Sequence, residues 1–198
     1  SMAAFAVSED RKGEPPLPGV TATVFKSETK VSGYKTWVAC CATLSHLVIK
    51  SDRGDEANYY CLERNSHGLT LTPKYGSFLA EMSQGVAQLK EVTVGSPLEA
   101  SQVSHFGLRE TLYIYIAFCA WAGKFLESDE HCEALIRRLA GLTERLPLDQ
   151  AALAELKAVD QAVQELRGSV PDTAALNFEE DQRLIAMYSP GIQKRELG

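Results

Sequence analysis

The sequence predicts an α+β protein: an N-terminal antiparallel β-sheet of four to five strands with a helix packed on it, followed by a C-terminal half resembling a helical bundle. Three observations carry this. Residues 20 to 71 break into short runs of β-branched and aromatic residues separated by turn formers; beyond residue 104 apolar residues recur at helical spacing; and charge divides between the halves.

Residues 1 to 19 read as a flexible proline-rich arm, because the successive prolines of "EPPLPG" favour an extended conformation without internal hydrogen bonds. From residue 20, "VTATVF", "YKTWVACCAT", "HLVIK", "NYYCLER" and "LTLT" read as strands, separated by "SGY", "SDRGDEA" and "NSHG". Thr72 suits a helix N-cap and Pro73 the first helical position. Tyr75, Phe78, Leu79, Met82, Val86 and Leu89 then form one apolar stripe, which predicts a helix across the sheet. The sheet-and-helix unit is expected to span residues 20 to 90, with a helical region over 91 to 198.

The longest apolar run, Thr111 to Gly123, has 13 residues, short of the roughly 20 a bilayer-crossing helix needs, so no membrane insertion is expected. Its tyrosines and isoleucines favour a strand and its alanines a helix. Leu108, Leu112, Tyr115, Cys119 and Ala122 recur at helical spacing and decide for a helix over about 104 to 126. Acids near Ser128 open another helix, with Leu135, Ile136, Leu139 and Leu142 on one face. Asp149 caps a third, in which Leu153, Leu156, Val159, Val163 and Leu166 form a seam and Gly168 marks the stop. Asn177 and Glu180 resemble a capping box for a last short helix ended by Ser189 to Gly191.

The five cysteines are odd in number and lack CxxC spacing, which predicts free thiols and a reducing intracellular compartment, cytoplasm or nucleus. Catalytic signatures are missing. There is no GxSxG elbow, no HExxH and no phosphate-binding loop around Lys35, and His46, His67, His105 and His131 are scattered. "ESDEHCE" fans Glu127, Asp129, His131 and Cys132 around a helix start, so no catalytic, cofactor or metal residues are assigned and no cofactor is expected. "RGD" at Arg53 to Asp55 reads as a turn, and "KGEPPLP" places Lys12, Pro15 and Pro18 in an SH3-ligand spacing that a stiff linker also explains.

Residues 20 to 90 carry eight Lys or Arg against six Asp or Glu, whereas residues 91 to 198 carry ten against 17. The expected function is a non-enzymatic protein-interaction or assembly module. Its candidate contact, with a protein partner or a second copy, is the seam Leu153, Leu156, Val159, Val163 and Leu166. The alternative is single-stranded nucleic-acid binding on the sheet through Tyr34, Lys35, Trp37, Tyr59, Tyr60, Arg64 and Lys74, rings and cations that could stack on bases and meet phosphates. In outline this layout of strands leading into a helix resembles the Pur and Whirly groups of single-stranded nucleic-acid binders. An enzyme without a recognisable motif is the third reading.

Overall fold

A computed structural model describes residues 2–9, 15–53, 56–76, 79, 81–103, 105–126, 129–171 and 178–196. The chain divides into two units, Ser1–Val103 and Ser104–Gly198. The first holds β1 (Ala3–Ala6), β2 (Thr21–Phe25), β3 (Glu28–Ala39), β4 (His46–Arg53), β5 (Glu56–Glu63), β6 (Leu69–Lys74), β7 (Gln84–Val94) and the short α1 (Ala100–Val103). The second holds α2 (Phe106–Ala122), α3 (Asp129–Glu144), α4 (Gln150–Ser169) and α5 (Phe178–Gln193). The α+β class stands. The RGD turn residues Gly54 and Asp55, together with Lys12, Ser128 and Asn177, lie outside the described residues.

In the first unit the seven strands make one sheet. β4 pairs antiparallel with β5 and parallel with β1, and it meets β2 at Asp52. From β2 the order continues through β3 and β7 to β6, each antiparallel to the last. Ala6, Val31, Val38, Leu47, Ile49, Ala87, Leu89 and Val92 supply much of its core.

Two expectations fail here. The N-terminal segment is not a free arm: its first residues form β1, which buries Ala4 and Ala6. The helix expected after Thr72 is not formed either. Thr72 and Pro73 belong to β6, at the end of the sheet, where a proline's missing N–H costs no ladder bond on the open side. Residues 84 to 94 are β7, a strand that carries the first unit's fold past residue 90. Gly85, Ala87 and Leu89 point inward at a period of two, and Gly85 lies so close to Cys41 and the Thr72 carbonyl that a Cβ would collide with both. At the β2–β3 side, Gly33 at φ +134° backs onto the Gly19 carbonyl, a conformation and clearance that glycine alone meets well.

The second unit follows its apolar periodicity. α2 buries Leu108, Leu112, Tyr115, Phe118, Cys119 and Ala122 against α3, α4 and α5. α3 contributes Leu135, Leu139 and Leu142, and Asp149 caps α4 by accepting from the Ala152 amide at 2.6 Å. α5 differs from expectation, since it runs through Pro190 to Gln193 rather than ending at "SPG". The helical ladder resumes beyond the proline, with the Lys194 N–H donating to the Pro190 carbonyl at 3.2 Å, and side chains on either side of Pro190 anchor the helix to α4. No helix among the described residues is long and apolar enough to cross a membrane.

Candidate functional site

In the first unit, β3 bulges between Lys35 and Val38. Lys35 pairs with Ala87 and Val38 with Gly85, so Thr36 and Trp37 together stand opposite Val86. The extra residue switches parity: Lys35 and Val38 are both buried, while Trp37 turns out to 41% exposure. On the same outer face lie Tyr34 and Gln88, which share a hydrogen bond, with half-buried Gln84 beyond and Thr70, Thr72 and Lys74 on β6. The result is an indole wall beside hydroxyl and amide groups that can donate and accept.

The residues proposed for nucleic acid do not share one surface. Tyr34, Trp37 and Lys74 belong to this face. Lys35 points the opposite way, 1% exposed, with its ammonium on Glu9 Oε1 at 2.5 Å. Arg64 is committed to the carbonyls of Cys41 and Leu44, at 2.8 and 3.3 Å. Tyr60 is 3% exposed in the core, and Tyr59 stacks on Phe5 with ring centroids 5.7 Å apart. Two of the three cations and two of the four rings are therefore occupied by the fold.

The seam has also found its partner inside the chain. Leu153, Leu156, Val159, Val163 and Leu166 are 0 to 6% exposed in the core that α4 shares with α2, α3 and α5, and they offer no open contact.

On that inner face, one turn beyond Leu156, stands Asp160, 1% exposed. Its Oδ1 accepts from the Tyr115 hydroxyl at 2.6 Å, and its Oδ2 accepts from Ser189 Oγ at 2.7 Å and Gln193 Nε2 at 2.6 Å. Gln164 Nε2 donates in turn to the Tyr115 oxygen at 3.2 Å. Three donors replace the water a buried carboxylate has lost. Burial first, and then the hydrogen bond to Asp160, push the Tyr115 phenol well above its ordinary range, so it stays a donor. Sequence reasoning missed this cluster. The available signal was an acid four residues from Leu156 and three from Val163, in phase with the seam.

Along α2 and α5, Ile114, Ala117, Phe118, Trp121, Leu184 and Ile185 line an apolar groove of about 280 Å³. One turn beyond it, desolvation raises the Glu110 carboxyl, and burial together with the Glu110 charge raises Tyr188 to about 12. The cysteines are all free. Burial pushes Cys119 up to about 12, with a smaller push from Cys132, and raises Cys41 despite Arg64, so these two stay protonated and unreactive. Among the described residues no group of three His, Cys, Asp or Glu side chains is placed to hold a metal.

No family model and no curated protein matches the sequence. Solved structures do match the fold. A probable acyl-CoA dehydrogenase from Mycobacterium abscessus superposes with a TM-score of 0.74 at 13% identity, over 98% of this chain and 67% of that one. The electron transferring flavoprotein of Acidaminococcus fermentans gives 0.63 at 12%, over 96% and 66%. The ChsE4–ChsE5 complex from Mycobacterium tuberculosis gives 0.61 at 12%, over 96% and 63%. The chain thus has the sheet-and-helices arrangement of acyl-CoA dehydrogenases and spans about two thirds of the length of these structures. That finding overturns the expectation of a non-enzymatic binding module, and with it the nucleic-acid alternative, because the proteins that share this fold over nearly the whole chain are dehydrogenases and an electron carrier.

Proposed function

We propose that this chain is part of a flavin-dependent oxidoreductase of the acyl-CoA dehydrogenase type, acting on an acyl thioester or passing electrons between such enzymes. The observation that carries the reading is the fold match over 98% of the chain at a TM-score of 0.74. The β3 bulge supports it. A flavin ring needs a flat apolar wall and hydrogen-bonding groups along its edge; Trp37 offers the first, and Thr36, Gln84 and Gln88 are groups of the second kind. The residues present fit the ring, and these four would hold it on this face. When bound, a flavin supplies a two-electron acceptor, the chemistry that an oxidation of saturated carbon requires and side chains lack.

Self-association or a protein partner belongs to the same proposal, supported by the two-protein complex among the fold relatives. A reducing compartment is supported by the five free thiols.

The test is to load the purified chain with flavin adenine dinucleotide, remove the excess, and add acyl-CoA thioesters of graded chain length without oxygen. Retained flavin whose visible absorbance bleaches with at least one thioester is the expected result. A chain that retains no flavin would overturn the reading.

A further inference from the structure

The bulge that turns Trp37 outward is not held by β7 alone. On the edge of β3 away from β7, the N–H of Thr36, one of the two bulge residues, donates at 3.0 Å to the carbonyl of Ser8, in the segment that follows β1. The Thr36 hydroxyl reaches the same carbonyl at 3.4 Å. On either side of Ser8, the same strap holds the neighbouring residue of β3. The Lys35 ammonium donates to Glu9 Oε1 at 2.5 Å and lies 3.5 Å from the Val7 carbonyl. Glu9 Oε1 also accepts from the Val20 amide at 3.0 Å, and the Tyr34 amide donates to the Pro18 carbonyl at 3.0 Å, so the strap and the lead-in to β2 close on the same three residues of β3.

Packing alone does not explain a lysine here. Lys35 is 1% exposed and the Glu9 side chain 11%, and an apolar residue of similar length would fill the space without the desolvation cost of two charges. What the pair adds is position. It fixes the strap in the one register that puts the Ser8 carbonyl on the Thr36 amide.

We propose that Glu9 and Lys35 form a latch that sets the Thr36–Trp37 bulge and with it the presentation of the Trp37 ring. Both are positioning residues: neither reaches the outer face, and both act on it through the β3 backbone. The inference deepens the flavin reading and rests on it only for the ligand, since the geometry of the ring can be followed in the ligand-free chain.

The experiment uses the full chain with Trp121→Phe, which leaves Trp37 as the sole tryptophan. Its emission maximum and quenching by iodide are measured in three forms: with the latch intact, with Lys35→Met and Glu9→Gln combined so that no buried charge is stranded, and with Lys35→Arg. The combined variant is expected to fold, to shift the emission of Trp37 and change its quenching, and to bind flavin adenine dinucleotide about tenfold more weakly, a change of about 1.4 kcal/mol. Lys35→Arg, which keeps the charge pair, should return all three towards the original values. A combined variant that melts earlier yet leaves the emission and quenching of Trp37 unchanged would overturn the latch, because a role in stability alone predicts that outcome. Should the combined variant not fold, Lys35→Met alone serves, since it removes the ammonium that Glu9 holds while Glu9, 11% exposed, keeps the Val20 amide; unchanged emission and quenching of Trp37 there overturn the proposal equally. If the intact chain binds no flavin, the functional reading fails while the quenching arm still decides the latch.

Discussion

Replacing Tyr115 by phenylalanine removes one oxygen from the middle of the second unit and nothing else. Tyr115 is 0% exposed, so water cannot enter without opening the bundle. The lost bond is the 2.6 Å donation to Asp160, a hydrogen bond to a buried carboxylate, and bonds to charged groups contribute about 1.5–3 kcal/mol. Asp160 keeps Ser189 and Gln193, and Gln164 keeps its 3.4 Å contact with the Ile185 carbonyl, so the loss stays near the middle of that range, about 2 kcal/mol. Asp160→Ala strands three donors at once and is expected to cost more, about 3 kcal/mol or above. Because Tyr115 and Asp160 touch, the double variant should cost less than the two single losses combined, by about 1 kcal/mol or more. Urea unfolding followed by far-ultraviolet circular dichroism reads this directly, as a lower midpoint at unchanged slope. A Tyr115→Phe protein within about 0.5 kcal/mol of the original, or strictly additive losses, would refute the claim that the cluster ties α2, α4 and α5 together.

Three further outcomes follow from the same geometry. Val159→Ser with Val163→Ser should lower the thermal midpoint sharply without altering the assembled mass, since both valines are 0% exposed inside the chain's own core; an unshifted midpoint with a lost assembly would reinstate the seam as an interface. Gly33→Ala should destabilise the sheet, because its φ of +134° and the close Gly19 carbonyl leave no room for a methyl group, and an unchanged urea midpoint would count against that geometry. Glu110 titrates above its ordinary range in the folded chain, through desolvation, so the folded state holds that proton more tightly than the unfolded one. The stability this contributes is full below the unfolded value and fades as pH rises through the folded value. Glu110→Gln should therefore melt above the original at pH 7 and level with it below about pH 4, and a gap that ignores pH would contradict the shift.

The helical half was legible because its core uses large aliphatic residues at helical spacing, and burial obeys that spacing: Leu108, Leu112, Tyr115 and Cys119 on α2, and Leu153 through Leu166 on α4, all face inward. β7 was not legible, for a physical reason. Its inward positions begin with Gly85 and Ala87, whose small side chains hide the period of two, and the positive φ of Glu91 breaks the alternation before Val92 and Val94. Meanwhile Tyr75, Met82, Val86 and Leu89 happen to fall at helical intervals. β1 was hidden by its length: four residues carry too little pattern, and its pairing with β4 is a contact across more than forty positions. The candidate site was partly visible. Trp37 could be picked out as a ring in a strand, but its outward turn depends on a bulge, and Lys35 looked like a surface cation because nothing in its neighbourhood announces Glu9. Asp160 stayed hidden because one acid within a seam of five aliphatic residues carries no pattern of its own.

We propose a flavin site on the outer face of β3 and β7 with Trp37 as its wall, and equilibrium dialysis of the chain against flavin adenine dinucleotide, with and without Trp37→Ala, decides whether it is there. The intact chain should bind saturably, weakened about tenfold by a substitution that removes a stacking partner worth about 1–3 kcal/mol while leaving the melting of the second unit unchanged. Equal affinity in the two proteins, or no saturable binding by either, would contradict it.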